Sequence, residues 1–191
     1  MREGDEQLKP ALTRSGEFTV GVSAVAPVPL SQLFPERLPE PPVVPAGGCP
    51  SDPDAGPKPG AAVWQIVLDT QPTSQSAYTR YKTTARGAYE AARGRAGIHS
   101  WADLREVVLW NAAGEATEGS LTSVYVRDGA GAAWVTPAVA ASGGQQGTTR
   151  RWALEHGLAA EGVVAAAAAL PAGSWAVLSN GVRGFWGGWV A

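Results

Sequence analysis

EVVLWNAAGEATEGS, residues 106–120, holds a strand, a turn and, after the turn, two acids, and its reading decides the fold. Glu106 to Trp110 reads as a strand, and Asn111-Ala112-Ala113-Gly114 reads as a turn. Glu115 and Glu118 follow three residues apart in an extended run, so their side chains point to opposite faces and only one can line a site. The runs Leu121 to Val126 and Ala132 to Thr136 make a hairpin around Arg127-Asp128-Gly129. Upstream, Val63 to Asp69 is a further buried strand. Downstream, Trp175 to Leu178 and Trp186 to Val190 read as two more. Strands in mixed order with few helices give an α+β fold with a mixed sheet.

Two helices are expected around this sheet. Tyr78, Tyr81, Ala85, Ala88, Tyr89 and Ala92 recur at spacings of three and four, which predicts a helix over 77–96. A Gly-rich loop at 143–147 feeds a short helix from Thr148 to His156. Near the start, Phe18, Val20, Val22 and Ala24 alternate with Glu17, Thr19 and Ser23, the pattern of a half-buried strand. Eleven of the fifteen prolines then fall between Pro27 and Pro59, which removes donors and fixes φ. This stretch reads as an extended linker. The expected organisation is 1–25 as one strand of a preceding domain, 26–62 as linker and 63–191 as the main domain.

Composition narrows the function. The 191 residues are 45% hydrophobic and 17% charged, with a net charge of -2. That balance suggests a globular chain and no nucleic-acid partner. No stretch reaches the ~18 apolar residues of a membrane span. One cysteine, Cys49, permits no internal disulfide and fits a reducing, cytoplasmic setting; with two histidines it makes a His/Cys metal cage unexpected.

Four short segments carry candidate chemistry. Lys82 lies in Arg80-Tyr81-Lys82-Thr83-Thr84-Ala85-Arg86. A lone lysine is ordinarily a solvated surface group. An apolar flank from Tyr78 and Tyr81, with Arg80 and Arg86 nearby, is the setting that would make its amine a nucleophile. In the segment Asn111 to Ser120, one of Glu115 and Glu118 can lie under a cofactor ring; taken alone, the segment is an ordinary hairpin with two exposed acids. Gly147-Thr148-Thr149-Arg150 combines a glycine, two hydroxyls and a helix start, which makes a phosphate cup in principle and otherwise a capped helix. It has neither P-loop nor dinucleotide spacing. Ser179-Asn180-Gly181-Val182-Arg183-Gly184 is a polar turn directly after a strand.

The order of these four segments resembles the class IV aminotransferase family of pyridoxal-phosphate (PLP) enzymes, which includes branched-chain and D-amino-acid aminotransferases and 4-amino-4-deoxychorismate lyase. In that family a lysine of a K-x-x-x-R-like segment binds PLP, and a T-E segment after a strand and turn supplies the acid for the pyridine nitrogen. A later glycine loop and a polar turn hold the phosphate. The resemblance covers residues 63–191 and, loosely, 17–25. It implies Lys82 as the Schiff-base and catalytic lysine, Glu118 as the ring acid, and Gly147, Thr148, Thr149 and Asn180 as phosphate ligands. Arg183 is then either a substrate-carboxylate residue or a structural one.

The wording at 81–86 and 180–184 is nearest the lyase-like branch. The implied reaction is conversion of 4-amino-4-deoxychorismate to 4-aminobenzoate and pyruvate. Transamination of a branched-chain or D-amino acid, and a non-catalytic remnant, stand as alternatives. The implied partners are a small-molecule amino substrate and, in the complete protein, a second copy in a homodimer. Gln145-Gln146 departs from the family's apolar-proline pair. The family's N-terminal α/β domain has no counterpart beyond 17–25, so the resemblance implies a fragment with weak PLP retention.

Overall fold

The computed structural model describes residues 6–42, 63–100, 102–128 and 132–191. Most of the proline-rich stretch, including Cys49, lies outside them. In chain order the elements are β1 (Glu6–Leu12), β2 (Phe18–Ala24), α1 (Leu30–Leu33), β3 (Trp64–Leu68), α2 (Ala77–Arg80), α3 (Gly87–Arg95), β4 (Arg105–Trp110) and β5 (Ala116–Gly119). They continue with β6 (Ser123–Arg127), β7 (Trp134–Pro137), α4 (Val139–Ser142), α5 (Thr148–Glu155), β8 (Ala160–Gly162), α6 (Ala166–Ala169), β9 (Trp175–Asn180) and β10 (Gly184–Val190).

Eight strands form one mixed sheet in the order β5-β4-β3-β10-β9-β6-β7-β8. The pairs β10–β3, β3–β4 and β7–β8 are parallel and the others antiparallel. The sheet curls until its two ends meet. The Ala116 N–H donates to the Val164 carbonyl and the Ala166 N–H to the Gly114 carbonyl, so β5 is stitched to the residues after β8. Closure of this kind removes most of the unpaired edge that an open sheet presents.

Alternation along the strands explains the layers. Val108, Val124, Val126, Ala176 and Leu178 point into the curl, where they pack with Ile66, Val164, Leu170 and Val190. Their neighbours Val107 and Leu109 face outward, against Tyr89 and Ala92 of α3. Tyr125 and Val177 face outward against Ala153 of α5 and Phe185. Strands covered on both faces read as unbroken apolar runs, which is why 106–110 stood out in the sequence.

Three expectations need correction. The helix over 77–96 is two helices. Ser76 caps α2, accepting from the Tyr78 N–H, but Tyr81 is extended at φ -113 and ψ 144. The β-branched pair Thr83-Thr84 and Gly87 then disfavour continuation, and the helix restarts at Gly87. Second, 17–25 is not half-buried. β2 pairs with β1 in a separate hairpin, and Phe18, Val20 and Val22 are all exposed. Third, the described part of the proline-rich stretch does not lie free of the domain. Leu38 is buried among Tyr125, Trp134 and Phe185, the Trp175 indole donates to the Pro39 carbonyl, and Arg127 pairs with Glu40.

Candidate active site

Glu118 sits near the end of β5, and its neighbours come from three other elements. Its Oε1 accepts the Tyr89 hydroxyl at 2.5 Å, and its Oε2 accepts the Gln145 N–H at 3.0 Å. The Gln145 side-chain amide donates in turn to the Tyr89 oxygen at 3.3 Å. Gly143 and Gly144, at φ +95 and +97, let this loop lie against β5; a Cβ on Gly144 would stand 3.1 Å from the Thr117 carbonyl oxygen. Burial lifts the Glu118 carboxyl to about 7, while the bonds from Tyr89 and Gln145 and the nearby Arg86 pull it back. Burial and the Glu118 charge likewise hold the Tyr89 phenol above its ordinary range.

The turn after Glu118 is held from beneath by Glu106 of β4. Its carboxyl accepts the N–H groups of Val107, Ser120 and Leu121 and the hydroxyls of Ser120 and Thr122. Burial raises its proton affinity and these donors oppose that rise. The turn has no spare room, because a Cβ on Gly119 would stand 2.1 Å from Thr122 Oγ1. Arg86 donates to the Ser120 carbonyl at 2.7 Å from the α3 side. Glu115 lies outside this network and accepts from Asn111 Nδ2. The register shift between Leu109 and Trp110 is a bulge in β5, so the strict alternation behind the opposite-face expectation for the two acids does not hold here.

The phosphate candidates converge at the start of α5. Gly147 is the N-cap, and no side chain caps the helix. Thr149 Oγ1 lies 2.9 Å from Ser179 Oγ, which is also 2.9 Å from the Tyr125 hydroxyl. A Cβ on Gly181 would stand 3.3 Å from Thr148 Oγ1. The Gly147-Thr148-Thr149 segment and the 179–181 turn thus form one surface. Asn180 shapes that turn: its Oδ1 accepts the N–H groups of Val182 and Arg183. Arg150, next in sequence, turns away and binds the Pro137 carbonyl and Glu161.

The other two predicted residues lie apart from these groups. Lys82 is exposed on the loop between α2 and α3. Tyr78 and Tyr81 are 59% and 61% exposed, so the apolar flank expected around Lys82 is absent from this arrangement. The Arg183 guanidinium stacks over Trp64 at 5.0 Å, and its carbonyl accepts from Gln32, which favours the structural of its two roles.

Sequence reasoning missed Tyr89, Gln145 and Glu106 as parts of the site. Tyr89 was visible only as one member of an apolar stripe, and Gln145 only as a departure from a family pattern. Glu106, an acid inside an otherwise apolar strand, was the one legible signal, since a buried carboxylate must find donors.

The donor set fits PLP. An uncapped helix start with clustered hydroxyls suits a phosphate dianion. A buried carboxyl suits a ring nitrogen that must stay protonated. Among the described residues no helix is long and apolar enough to cross a membrane, and no group of three or more His, Cys, Asp or Glu side chains could hold a metal.

Comparison with known proteins gives the family. The profile of the family described as amino-transferase class IV matches residues 51–188. Aminodeoxychorismate lyase of Saccharomyces cerevisiae is 34% identical over 134 residues, covering 63% of this chain and 35% of the yeast protein. The chain thus spans about a third of the length of that curated relative. Among solved structures, a putative amino-acid aminotransferase from Mesorhizobium loti superposes with a TM-score of 0.67 at 22% identity, over 97% of this chain and 73% of that one. A putative 4-amino-4-deoxychorismate lyase gives a TM-score of 0.54 at 21% identity, over 91% and 57%. These two show a shared fold. The match over 51–188 takes in both the Glu118 network and the α5 start, and the chain belongs to the class IV aminotransferase family.

Proposed function

We propose that the chain is the cofactor-binding part of a PLP-dependent lyase that converts 4-amino-4-deoxychorismate to 4-aminobenzoate and pyruvate, acting as a homodimer in its complete form. The observation that carries the PLP reading is the pairing of a buried acid, Glu118, with the hydroxyl-lined start of α5 in one domain. The similarity to the yeast lyase supports the choice of reaction.

In this reading Gly147, Thr148 and Thr149 bind the phosphate through N–H groups and hydroxyls, with Asn180 holding the facing turn in shape. Glu118 accepts the ring nitrogen's proton bond. Lys82 holds the cofactor through its ε-amine. When bound, PLP supplies an electron sink for the carbon next to the substrate amine. The Lys82 amine would be the base that takes the proton from that carbon and the acid that returns one to the departing three-carbon fragment. Because Lys82 starts exposed, its loop must close over bound cofactor for this proton transfer.

The test is to incubate the full-length protein with PLP and 4-amino-4-deoxychorismate and follow 4-aminobenzoate and pyruvate. Equal release of both products supports the lyase. Keto-acid exchange with a branched-chain or D-amino acid, without 4-aminobenzoate, replaces it with a transaminase. Neither reaction would overturn both.

A further inference from the structure

Glu118 does not stand alone in its pocket. Its two oxygens are taken by one side-chain donor and one backbone donor, and both donors converge through Gln145. The Gln145 N–H binds Glu118 Oε2 and its amide binds the phenol oxygen of Tyr89, whose proton goes to Glu118 Oε1. The three residues close a ring of hydrogen bonds between the 143–147 loop, α3 and β5.

The ring is chemically directional. A phenol that donates to a carboxylate favours the anion, whereas burial favours the neutral acid. A donor on the phenol oxygen makes the phenol a stronger acid and hence a stronger donor. The groups facing Glu118 from each packed element are Tyr89 and Arg86 from α3, Glu106 from β4 and Gln145 from the loop. Arg86 also covers the Tyr89 ring, with its guanidinium carbon 4.8 Å from the ring centroid. Tyr89 is 2% exposed, so its hydroxyl meets Glu118 inside the protein.

We propose that Tyr89, held by Gln145, is a positioning residue that sets the orientation and proton affinity of the Glu118 carboxyl, so that the acid meets a ring nitrogen as an anion. The proposal rests on the reading of Glu118 given above. It also assigns a purpose to Gln145, the residue at which the loop departs from its family's apolar pattern. The amide keeps the tyrosine hydroxyl aimed at the acid.

The experiment is a carbon-13 NMR pH titration of the cofactor-free full chain with labelled glutamate carboxyls. The Glu118 signal is assigned by its loss in E118Q. The wild-type midpoint is expected at about 7. Tyr89→Phe keeps the ring and its packing but removes the donor, and should raise the midpoint by about one pH unit, a tenfold larger protonated fraction above it. Gln145→Leu leaves the backbone N–H in place and should raise it by less. Gln145 is only half-buried, so this variant reports even where Tyr89→Phe fails to fold. Unmoved or lowered midpoints in the folded variants would overturn the proposal. Equilibrium dialysis of PLP against wild type and E118Q separates the two readings. Shifted midpoints with no PLP binding sink the functional reading alone, and PLP binding with unmoved midpoints sinks the positioning role alone.

Discussion

The acid side and the lysine side of the candidate site are built in opposite ways. Glu118 is on a strand, is buried, and has both oxygens bonded by groups from two other elements. Lys82 is on a loop between two short helices, is exposed, and has no hydrogen bond or ion pair among the described residues. A strand locked in a sheet fixes its side chains before any ligand arrives, whereas a loop leaves its side chains to be placed by what binds. On the proposed reading, the acid and phosphate ends are preorganised in the fold itself and the lysine end is completed on binding.

The largest effect should come from removing the support of the acid side. Glu106→Ala strands three N–H groups and two hydroxyls that now bind one carboxyl. The expected loss is about 3–5 kcal/mol in urea unfolding, the range for leaving buried polar partners unpaired. A loss under 1 kcal/mol would show that the Ser120 turn holds itself.

Next is the pH dependence of Glu118. Its folded value is raised to about 7 above the ordinary 4.5, so its contribution to stability is fully present below about 4.5 and is lost as pH rises through 7. Glu118→Gln cannot ionise. The stability of this variant relative to wild type should rise by about 3 kcal/mol between pH 4 and pH 8. A difference that stays flat across that range would mean that Glu118 is not desolvated.

How much of this was legible in sequence follows the same division. The strands 106–110 and 175–178 announced themselves because both of their faces are covered. The opposed faces expected of Glu115 and Glu118 assumed an unbroken period of two, and the bulge between them was not legible. The helix over 77–96 misled because its apolar spacing continues across the break at Tyr81, and periodicity does not register the backbone preference of Thr83-Thr84. The Glu118–Tyr89–Gln145 ring was invisible, since it joins positions 29 and 56 residues apart through tertiary packing. The Leu38 contact was hidden for a different reason: prolines forbid regular structure, but they do not forbid one leucine between them from entering a core.

A smaller effect is expected at the phosphate end. Thr149→Val removes a hydroxyl bonded to Ser179 at the start of α5. Binding of PLP should weaken about tenfold, the size of one hydrogen bond to a charged group, with stability nearly unchanged. Unaltered affinity by equilibrium dialysis would detach Thr149 from the phosphate.

The smallest effect sharpens the contrast from the lysine side. Lys82→Ala should change unfolding stability by no more than about 0.5 kcal/mol, because an exposed side chain without partners holds nothing in the fold. A loss above 1 kcal/mol would reveal a structural role for Lys82.

The central claim is that Lys82 receives the cofactor although it starts exposed. The direct measurement is to load the full-length protein with PLP, reduce with borohydride, digest, and map the modified lysine by mass spectrometry. The account predicts a stoichiometric label on Lys82 that E118Q weakens. A label on Lys58 or Lys9 instead, or loaded protein with Lys82 unmodified, would contradict it.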